Sequence, residues 1–478
     1  MQRNGQRFSP TLALMVLAIT FSLAVCAQAQ TVDFLTKFNG NNGSEPFGPV
    51  VQATDGNFYG TTAHGGNGNG NVYRMTPSGK VTSIYSFCSQ TNCADGQTPE
   101  TPPILGSDGN LYGVTLTGGK GSNGNGGGVL YKMTLNGRIT VLRVFCSSNA
   151  CTDGDLPTGI ILASDGNFYG TTNYGGSAGY GAIFQISPTG TYQVLYSFCS
   201  QTNCVDGAYV GVPPVQGRDG NFYGVTDGGG TDGTGVFYEL TETGTYQVIH
   251  DFCQVTCSEG SVPNTIVQDA KGNFFGTTVS GVAFEITSAG KYKVLPNFSV
   301  GGTGEAQALI LASDGNLYGM FGGGSPSDGG DGLGSIFEIS TTDEFTSLYT
   351  FCGCGDPTSG YNPEGTVFQG TDGNFYGTTM FGGTSGENFG TVFKLSKGLS
   401  PLVETVPVAG KVGKQVIILG NDLTGSTSVK FNGKSAAFTV VSDTYIKATV
   451  PAGAKTGTVS VVTPTGTLNS NPQFVVTK

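Results

Sequence analysis

With 478 residues the chain can bury a large core and hold more than one domain. Its net charge of −11 excludes nonspecific nucleic-acid binding, whose affinity comes from Lys and Arg neutralising phosphates. The 80 glycines and a charged fraction of only 12% would suit disorder, but aromatics make up 10% and recur in register with the glycines, which points to a folded all-β protein.

Residues 1–29 have the three parts of a cleavable secretory signal. Arg3 and Arg7 form the basic start, residues 12–25 an apolar run of 14, and Ala27-Gln28-Ala29 the small-x-small cleavage site. Such a run falls short of the ~20 residues a membrane-spanning helix needs. Cys26 follows Val25, where lipid attachment wants a small residue, so ordinary cleavage is expected. Loss of Arg3 and Arg7 takes the net charge from −11 to −13. No later apolar run is long enough to span a bilayer, so the mature protein is expected to be secreted or at the cell surface.

The next stretch is built on one motif. Asp-Gly-Asn-Phe-Tyr-Gly-Thr-Thr occurs at 55–62, 165–172 and 372–379, with near-copies starting at Asp108, Asp219 and Asp314 and a degenerate one at 270–278. The seven copies recur with a mean step of about 53 residues, the signature of a propeller, solenoid or array. Each repeat holds four strand-like segments: an apolar one ending at the Asp-Gly turn (159–164), the motif itself, a Val-Phe type (391–396, 182–187) and a Val-Leu-Tyr-Ser-Phe type (194–198, 83–87, 141–145, 347–351). Asp-Gly and Pro-x-Gly turns join them, since Gly accepts positive φ freely.

The last repeat ends at Ser396 without a fourth segment, and the missing copy stands at 32–38, ahead of the first repeat. An N-terminal strand that completes the last sheet gives a seven-bladed β-propeller rather than an open solenoid. Strand parity then puts the Asp-Gly turns on one face. The other face carries the Gly-rich segments 65–71, 118–128, 322–334 and 382–390 and every cysteine pair, and a binding or catalytic site is expected there. In the fifth blade only Val279-Ser280-Gly281 joins the middle strands, which predicts a notch in the rim.

Ten cysteines follow the signal in five local pairs: Cys88/Cys93, Cys146/Cys151, Cys199/Cys204, Cys253/Cys257 and Cys352/Cys354. An even count in an exported chain points to disulfides; zinc would want Cys-x-x-Cys spacing with further ligands nearby. Cys352 and Cys354 are the weakest pair, because they stand so close.

The motif stops near Gly398. Short Val/Ile/Thr-rich segments at 415–420, 428–432, 437–441, 445–450 and 458–462 suggest a small β-sandwich. The expected division is a signal at 1–29, a propeller at 30–397 and a sandwich at 398–478.

Residues 31–397, through DGNFYGTT, GG, GTVFKLS and VLYSF, resemble the GloVer-type tandem repeats of secreted bacterial proteins. Residues 401–478 resemble an immunoglobulin-like TIG (IPT) domain, through GKVGKQVIILGNDL, SVKFNGKSA, TYIKATVPAGAKTGTVSVV and FVV. The first resemblance implies an exported or surface protein with one of several alternative C-terminal anchors; no such anchor is read here, the chain ending in the sandwich at Lys478. It implies no activity, and no functional residue is carried over.

The repeated Asp55, Asp108, Asp165, Asp219, Asp314 and Asp372 read as turn formers rather than a ring of ligands, since Lys271 replaces one of them. The Phe/Tyr pairs at 58/59, 168/169, 222/223 and 375/376 read as packing between blades. On the loop face Asp95, Asp153, Asp206, Asp227, Asp232, Glu259, Asp328, Asp331 and Asp356 are oxygen ligands of the type calcium uses, but without calcium-loop spacing; they read as solvated surface charge. The only histidines, His64 and His250, belong to different blades. Gly175-Gly176-Ser177-Ala178-Gly179 matches a nucleophile-elbow pattern but lies between two strands.

These features favour a non-enzymatic binding or surface protein, its partner an extracellular polymer such as a polysaccharide or a surface protein, with Tyr174, Tyr180, Phe321 and Phe381 as stacking candidates. The sandwich would be a spacer or a second contact. The alternatives are a lyase or hydrolase using carboxylates of that face, and a structural surface-layer component. No catalytic, metal or cofactor residue is assigned, calcium being the one ion the loops could suit.

Overall fold

The computed structural model of the chain describes residues 31–477 except 120–125, 254–256, 296–305, 324–332, 352–359 and 385–386. The signal segment, Cys352, Cys354, Asp328, Asp331 and Asp356 lie outside these residues.

Seven antiparallel sheets follow the repeat. Blade 3 shows the plan, with strands Asp155–Leu162, Phe168–Tyr174, Ala182–Ile186 and Tyr192–Ser197 hydrogen-bonded in chain order. The first strands of neighbouring blades approach one another, so they are the inner ones. In blade 7 the strand Thr31–Lys37 pairs antiparallel with Thr391–Ser396, which lies beside Phe375–Phe381. The chain thus closes its ring with its N-terminal strand, as the count of fourth segments predicts.

The motif explains the packing. Phe and Tyr at successive strand positions point to opposite faces, so the Tyr of one blade meets the Phe of the next. Ring centroids are 4.2 Å apart for Tyr112–Phe168, 4.0 Å for Tyr169–Phe222, 4.5 Å for Tyr223–Phe274, 4.4 Å for Tyr318–Phe375 and 4.4 Å for Tyr376–Phe58. Leu111 and Leu317 replace Phe at the other two joints and share clusters with Tyr59 and Phe275.

Each Tyr hydroxyl then donates to the Asp of its own turn, at 2.8 Å in Tyr59–Asp55 and 2.7 Å in Tyr223–Asp219, while the same carboxylates accept the Asn57 and Asn221 amides. Turn chemistry is thus the role of these aspartates. In blade 5 both partners change together: Phe275 has no hydroxyl, and Asp269, ahead of Lys271, accepts the amides of Lys271 and Asn273 at 2.8 Å each. The Gly after Tyr is set by the third strand, since a Cβ on Gly377 would lie 2.4 Å from Phe393 Cζ.

Two further sets of residues staple the ring. The first Thr of the motif donates to the next blade, from Thr61 to Thr101 O (3.0 Å), Thr171 to Val212 O (2.9 Å), Thr277 to Gln307 O (3.0 Å) and Thr378 to Gly48 O (2.8 Å). Where an inner strand ends in Gln, its Oε1 accepts an amide of the preceding blade: Gln216 from Ser164, Gln268 from Arg218, Gln369 from Ser313 and Gln52 from Thr371.

After Ser396 the chain forms a sandwich of two four-stranded sheets, with a parallel pair of Ala409–Lys411 and Val475–Thr477. Its strands Gln415–Leu419, Ser428–Phe431, Phe438–Ser442, Tyr445–Thr449 and Val459–Thr463 match the predicted segments to within one residue. Val416, Ile418, Val429, Phe431, Ile446 and Phe474 fill its core.

The sandwich is not a spacer. Alternation turns Ile417 and Leu419 away from its own core, and with Val406 they pack on Ala53 and Leu105 of blades 1 and 2. Thr444 Oγ1 donates to Thr54 O (2.8 Å), Asn421 to Thr371 Oγ1 (2.9 Å), Asn471 to Leu311 O (3.0 Å) and Arg218 to Gln473 (3.2 Å). These contacts reach blades 1, 7, 6 and 4, so the sandwich lies across the middle of the Asp-Gly turn face. None of these contacts is made on the loop face.

Candidate functional site

The loop face is built from repeated parts. Cys88–Cys93, Cys146–Cys151, Cys199–Cys204 and Cys253–Cys257 are disulfide-bonded, each closing a link between blades. Two residues beyond the second Cys stands a carboxylate: Asp95, Asp153, Asp206 or Glu259. Two of them are not solvated charges. Asp95 and Asp206 are fully buried. Asp95 accepts from Tyr85 Oη (2.6 Å), Ser89 N (2.9 Å), Ser89 Oγ (2.8 Å) and Gln90 N (3.1 Å), and Asp206 repeats the set with Tyr196, Ser200 and Gln201. The loop folds back on its own carboxylate, which caps its backbone amides.

Burial alone would push the Asp95 carboxyl up, but the bonds from Tyr85 and Ser89 outweigh it and hold it below its ordinary value. In the next link Arg143 replaces Tyr and pairs with Asp153; in the fourth, His250 lies 3.4 Å from Glu259. Burial holds the His250 imidazole below its ordinary value against the pull of Glu259. Each of these groups stacks on a tyrosine of the following blade: Arg143 on Tyr192 (4.2 Å), Tyr196 on Tyr246 (3.8 Å) and His250 on Tyr292 (4.2 Å). The disulfide links therefore bolt blade to blade. Among the described residues one group of metal-ligand types comes together, Cys146, Cys151 and Asp155, and its two cysteines are in a disulfide.

Because a buried carboxylate here satisfies four donors, Asp95→Ala is expected to cost about 2–4 kcal/mol in chemical denaturation, and Asp95→Asn less. Its folded pKa is depressed, so its contribution is present above the unfolded value near 3.8 and lost as pH falls through the lower folded value. A melting temperature of Asp95→Ala equal to that of the parent at neutral pH would contradict this role.

At the entry to the inner strands, just ahead of them or in their first residues, six blades hold a non-glycine residue at positive φ: Glu45 (56°), Thr98 (56°), Leu156 (54°), Tyr209 (55°), Val262 (55°) and Asn362 (54°). Such a backbone costs a β-branched residue on the order of 1–2 kcal/mol and persists where the surroundings enforce it. Here the amide is held by the neighbouring loop, as in Tyr209 N to Tyr180 O (2.8 Å) and Leu156 N to Gly127 O (3.1 Å). A fixed backbone thus sets six different side chains around the axis of the loop face.

At Tyr209 this ring meets two exposed aromatics. Tyr209 packs edge-on against Tyr174 (5.4 Å) and Tyr180 (5.3 Å), which are 44% and 36% exposed. The Asp227 amide donates to Tyr209 O (2.7 Å), and burial pushes the Asp227 carboxyl up to about 6 against the pull of the Gly211 amide. Glu45, on the stretch leading into blade 1, and His64, in a loop of that blade, lie 3.7 Å apart, and burial raises Glu100 against the nearby His64.

Other expectations are corrected or placed. Phe321 is buried against Phe337 (4.6 Å), so it offers no stacking face; Phe381 is half-buried beside Tyr361 (5.5 Å). Asp232 remains on an exposed loop. Ser177 lies in the loop between strands two and three, its amide donating to Ser197 Oγ. In blade 5 the middle strands are joined by a tight turn, Gly281 N to Thr278 O (2.9 Å). Tyr209 is absent from the stacking candidates read from sequence.

A second concavity lies on the opposite face. A cleft of about 680 Å³ opens between the turns of blades 3 and 4 and the sandwich, lined by Gln185, Gln193, Gln216, Arg218, Lys411 and Thr477 among others.

The family model described as "Gloeobacter/Verrucomicrobia repeat" matches residues 18–213 and 210–437, and the IPT/TIG domain model matches 401–476. No curated protein matches this chain. Among solved structures, the extracellular domain of a protein described as a hybrid two-component system of B. thetaiotaomicron is 13% identical, with a TM-score of 0.51, over 93% of this chain and 55% of that one. This chain therefore spans about half the length of that relative. PorZ, described as a surface component of the type-IX secretion system of Porphyromonas gingivalis, gives 14% identity and a TM-score of 0.46 over 92% of this chain and 60% of that one. A Thermus thermophilus protein described as a glucose dehydrogenase gives 14% and 0.39 over 77% of this chain and all of its own. At such identities the first likeness concerns the fold alone, and the other two carry no argument.

Proposed function

The chain belongs to the Gloeobacter/Verrucomicrobia repeat family, and on that premise we propose that it is an exported, non-catalytic binding protein that takes a polysaccharide on its loop face. The observation that carries this reading is the cluster of the exposed Tyr174 and Tyr180 around the half-buried Tyr209, whose own backbone is strained but firmly bonded, beside Asp227. Rigid tyrosines supply a flat apolar face with a hydroxyl at its edge, which suits a sugar ring and its substituents. A neighbouring carboxylate accepts from sugar hydroxyls. Export agrees with the secretory signal read in residues 1–29 and with the four disulfides, which belong to oxidising compartments.

The test is incubation of the mature protein with a panel of soluble and insoluble polysaccharides, following both depletion of the protein and release of shortened chains. Depletion without release is expected for at least one polymer. The double change Tyr174→Ala and Tyr180→Ala should weaken that binding by about tenfold while leaving the melting temperature within a few degrees of the parent. Depletion that the double variant retains in full would remove the cluster from the site. Release of shortened product would replace binding by cleavage and give Asp227, with its raised pKa, the part of the acid.

A further inference from the structure

We propose that blades 1, 2 and 4 each hold one buried water molecule between their first two strands, bonded to a tyrosine hydroxyl and to a backbone carbonyl that a proline leaves without a donor. These binding sites are internal, so they do not rest on what the loop face takes.

The repeats differ at one point of the third strand. The residue paired with the Gly of the motif is Tyr73, Tyr131 or Tyr238 in blades 1, 2 and 4. In the other blades it is Phe184, Phe284, Phe337 or Phe393. All three tyrosines are fully buried, and none of their hydroxyls has a hydrogen-bond partner among the described residues. Each hydroxyl lies over its Gly, where a Cβ on Gly60, Gly113 or Gly224 would collide with it. A buried hydroxyl without a partner is costly, and the Phe blades avoid it. Burial raises all three phenols, so they stay protonated and able to donate.

The inner strand supplies the reason to keep them. In blade 1 the Ala53 amide donates to Asn57 O, and Val51 pairs with Tyr59 two residues further on. Alternate residues of an antiparallel pair exchange bonds, so the next exchange falls to residues 49 and 61. Pro49 has no N–H to give the Thr61 carbonyl, and the inner strand covers only Val51–Gln52. The same count from Gly106–Asn110 in blade 2 sets Pro102 against Val114, and from Gly217–Asn221 in blade 4 it sets Pro213 against Val225. At this position the Phe blades carry Gly159, Thr265, Ala308 and Thr366, each with an N–H. In three of them the ladder runs on to the Gly, through Ile160–Gly170, Ile266–Gly276 and Leu309–Gly319. Proline and tyrosine thus occur together in three blades and are missing together from four.

The carbonyl belongs to the residue that follows the Gly under the hydroxyl. A water where the two strands part donates one proton to that carbonyl and accepts the proton of the phenol. Such a site meets the need of a buried water for at least two polar partners.

The test uses the mature full-length protein and blade 2. A high-resolution crystal structure should show a water oxygen within about 3.2 Å of both Tyr131 Oη and the Val114 carbonyl. Tyr131→Phe, which removes one atom, should lower the melting temperature by about 2 °C. In a Pro102→Ala protein, which regains the N–H, the same Tyr131→Phe change should lower it no further. Phe184→Tyr in blade 3, where the ladder is intact, should lower the melting temperature, because its hydroxyl would find no partner. A Tyr131 hydroxyl bonded directly to protein with no water beside it would overturn the proposal. So would a Tyr131→Phe protein as stable as the parent or more so, or one that loses as much with Ala at 102 as with Pro.

Discussion

Deleting residues 31–38 is expected to abolish the cooperative unfolding of the propeller. The strand Thr31–Lys37 is the sole partner of one edge of Thr391–Ser396 in the seventh sheet, and it joins the two ends of the ring. Its loss leaves that edge unpaired and uncovers Val392, Phe393 and Leu395, all fully buried in the intact protein. Phe38 follows the strand, is likewise fully buried, and packs edge-on against Tyr73 of blade 1 at 5.1 Å.

The milder change Phe38→Ala should therefore cost about 3–5 kcal/mol, the usual loss for a large aromatic removed from a core. Calorimetry of the three proteins checks this. A deletion variant that melts in one sharp transition at the parent's temperature would show that the ring holds without its N-terminal strand.

Truncation after Ser400 is the second change with a large expected effect, and of another kind. The seven blades keep all their strands, so the propeller should stay folded. What it loses is the cover over its turn face: Val406, Ile417 and Leu419 leave Ala53, Leu105 and the half-buried Val51 and Leu162 open to water. Three such side chains contribute about 1.5–3 kcal/mol each on burial, an upper bound against a collapsed reference. The truncated protein should melt several degrees lower and associate in concentrated solution, which light scattering would register. A monomeric propeller with the parent's melting temperature would mean that the docked sandwich contributes nothing.

Glu404 makes this docking sensitive to pH. It lies opposite Leu419 in an antiparallel pair and so shares the propeller-facing side of the sheet, where burial pushes its carboxyl up from 4.5 to about 7. A raised folded pKa means that the folded state holds the proton longer, so stability falls as pH rises from the unfolded value through the folded one. Glu404→Gln should remove that fall: its advantage in melting temperature over the parent should be larger at about pH 8 than at about pH 5. An equal difference at both would remove Glu404 from the effect.

The architecture of this protein was legible because it rests on local signals repeated seven times. The Asp-Gly turns, the Phe-Tyr alternation and the Val-Phe segments state strand and turn directly, and the misplaced fourth segment at 32–38 states closure by simple counting. The strands of the sandwich were legible from local composition alone, as short Val/Ile/Thr-rich segments. The residues that staple the ring were not read: Thr61 and Gln216 look like ordinary polar residues until a neighbouring blade brings a backbone group within reach.

Asp95 and Asp206 were misread because composition makes a carboxylate on a loop a solvated charge, as Asp232 is, whereas these two lie inside loops folded back on them. Tyr209 escaped notice because its place beside Tyr174 and Tyr180 depends on a left-handed backbone and on a contact between two blades. So does the seating of the sandwich: alternation says that Ile417 and Leu419 face away from its core, but only the assembled turn face, with Ala53 and Leu105 at its centre, provides what covers them. Periodicity in a chain determines which elements form and how many, because it acts between near neighbours. Which side chains meet across blades and domains is decided by the folded surface, whose shape no single repeat contains.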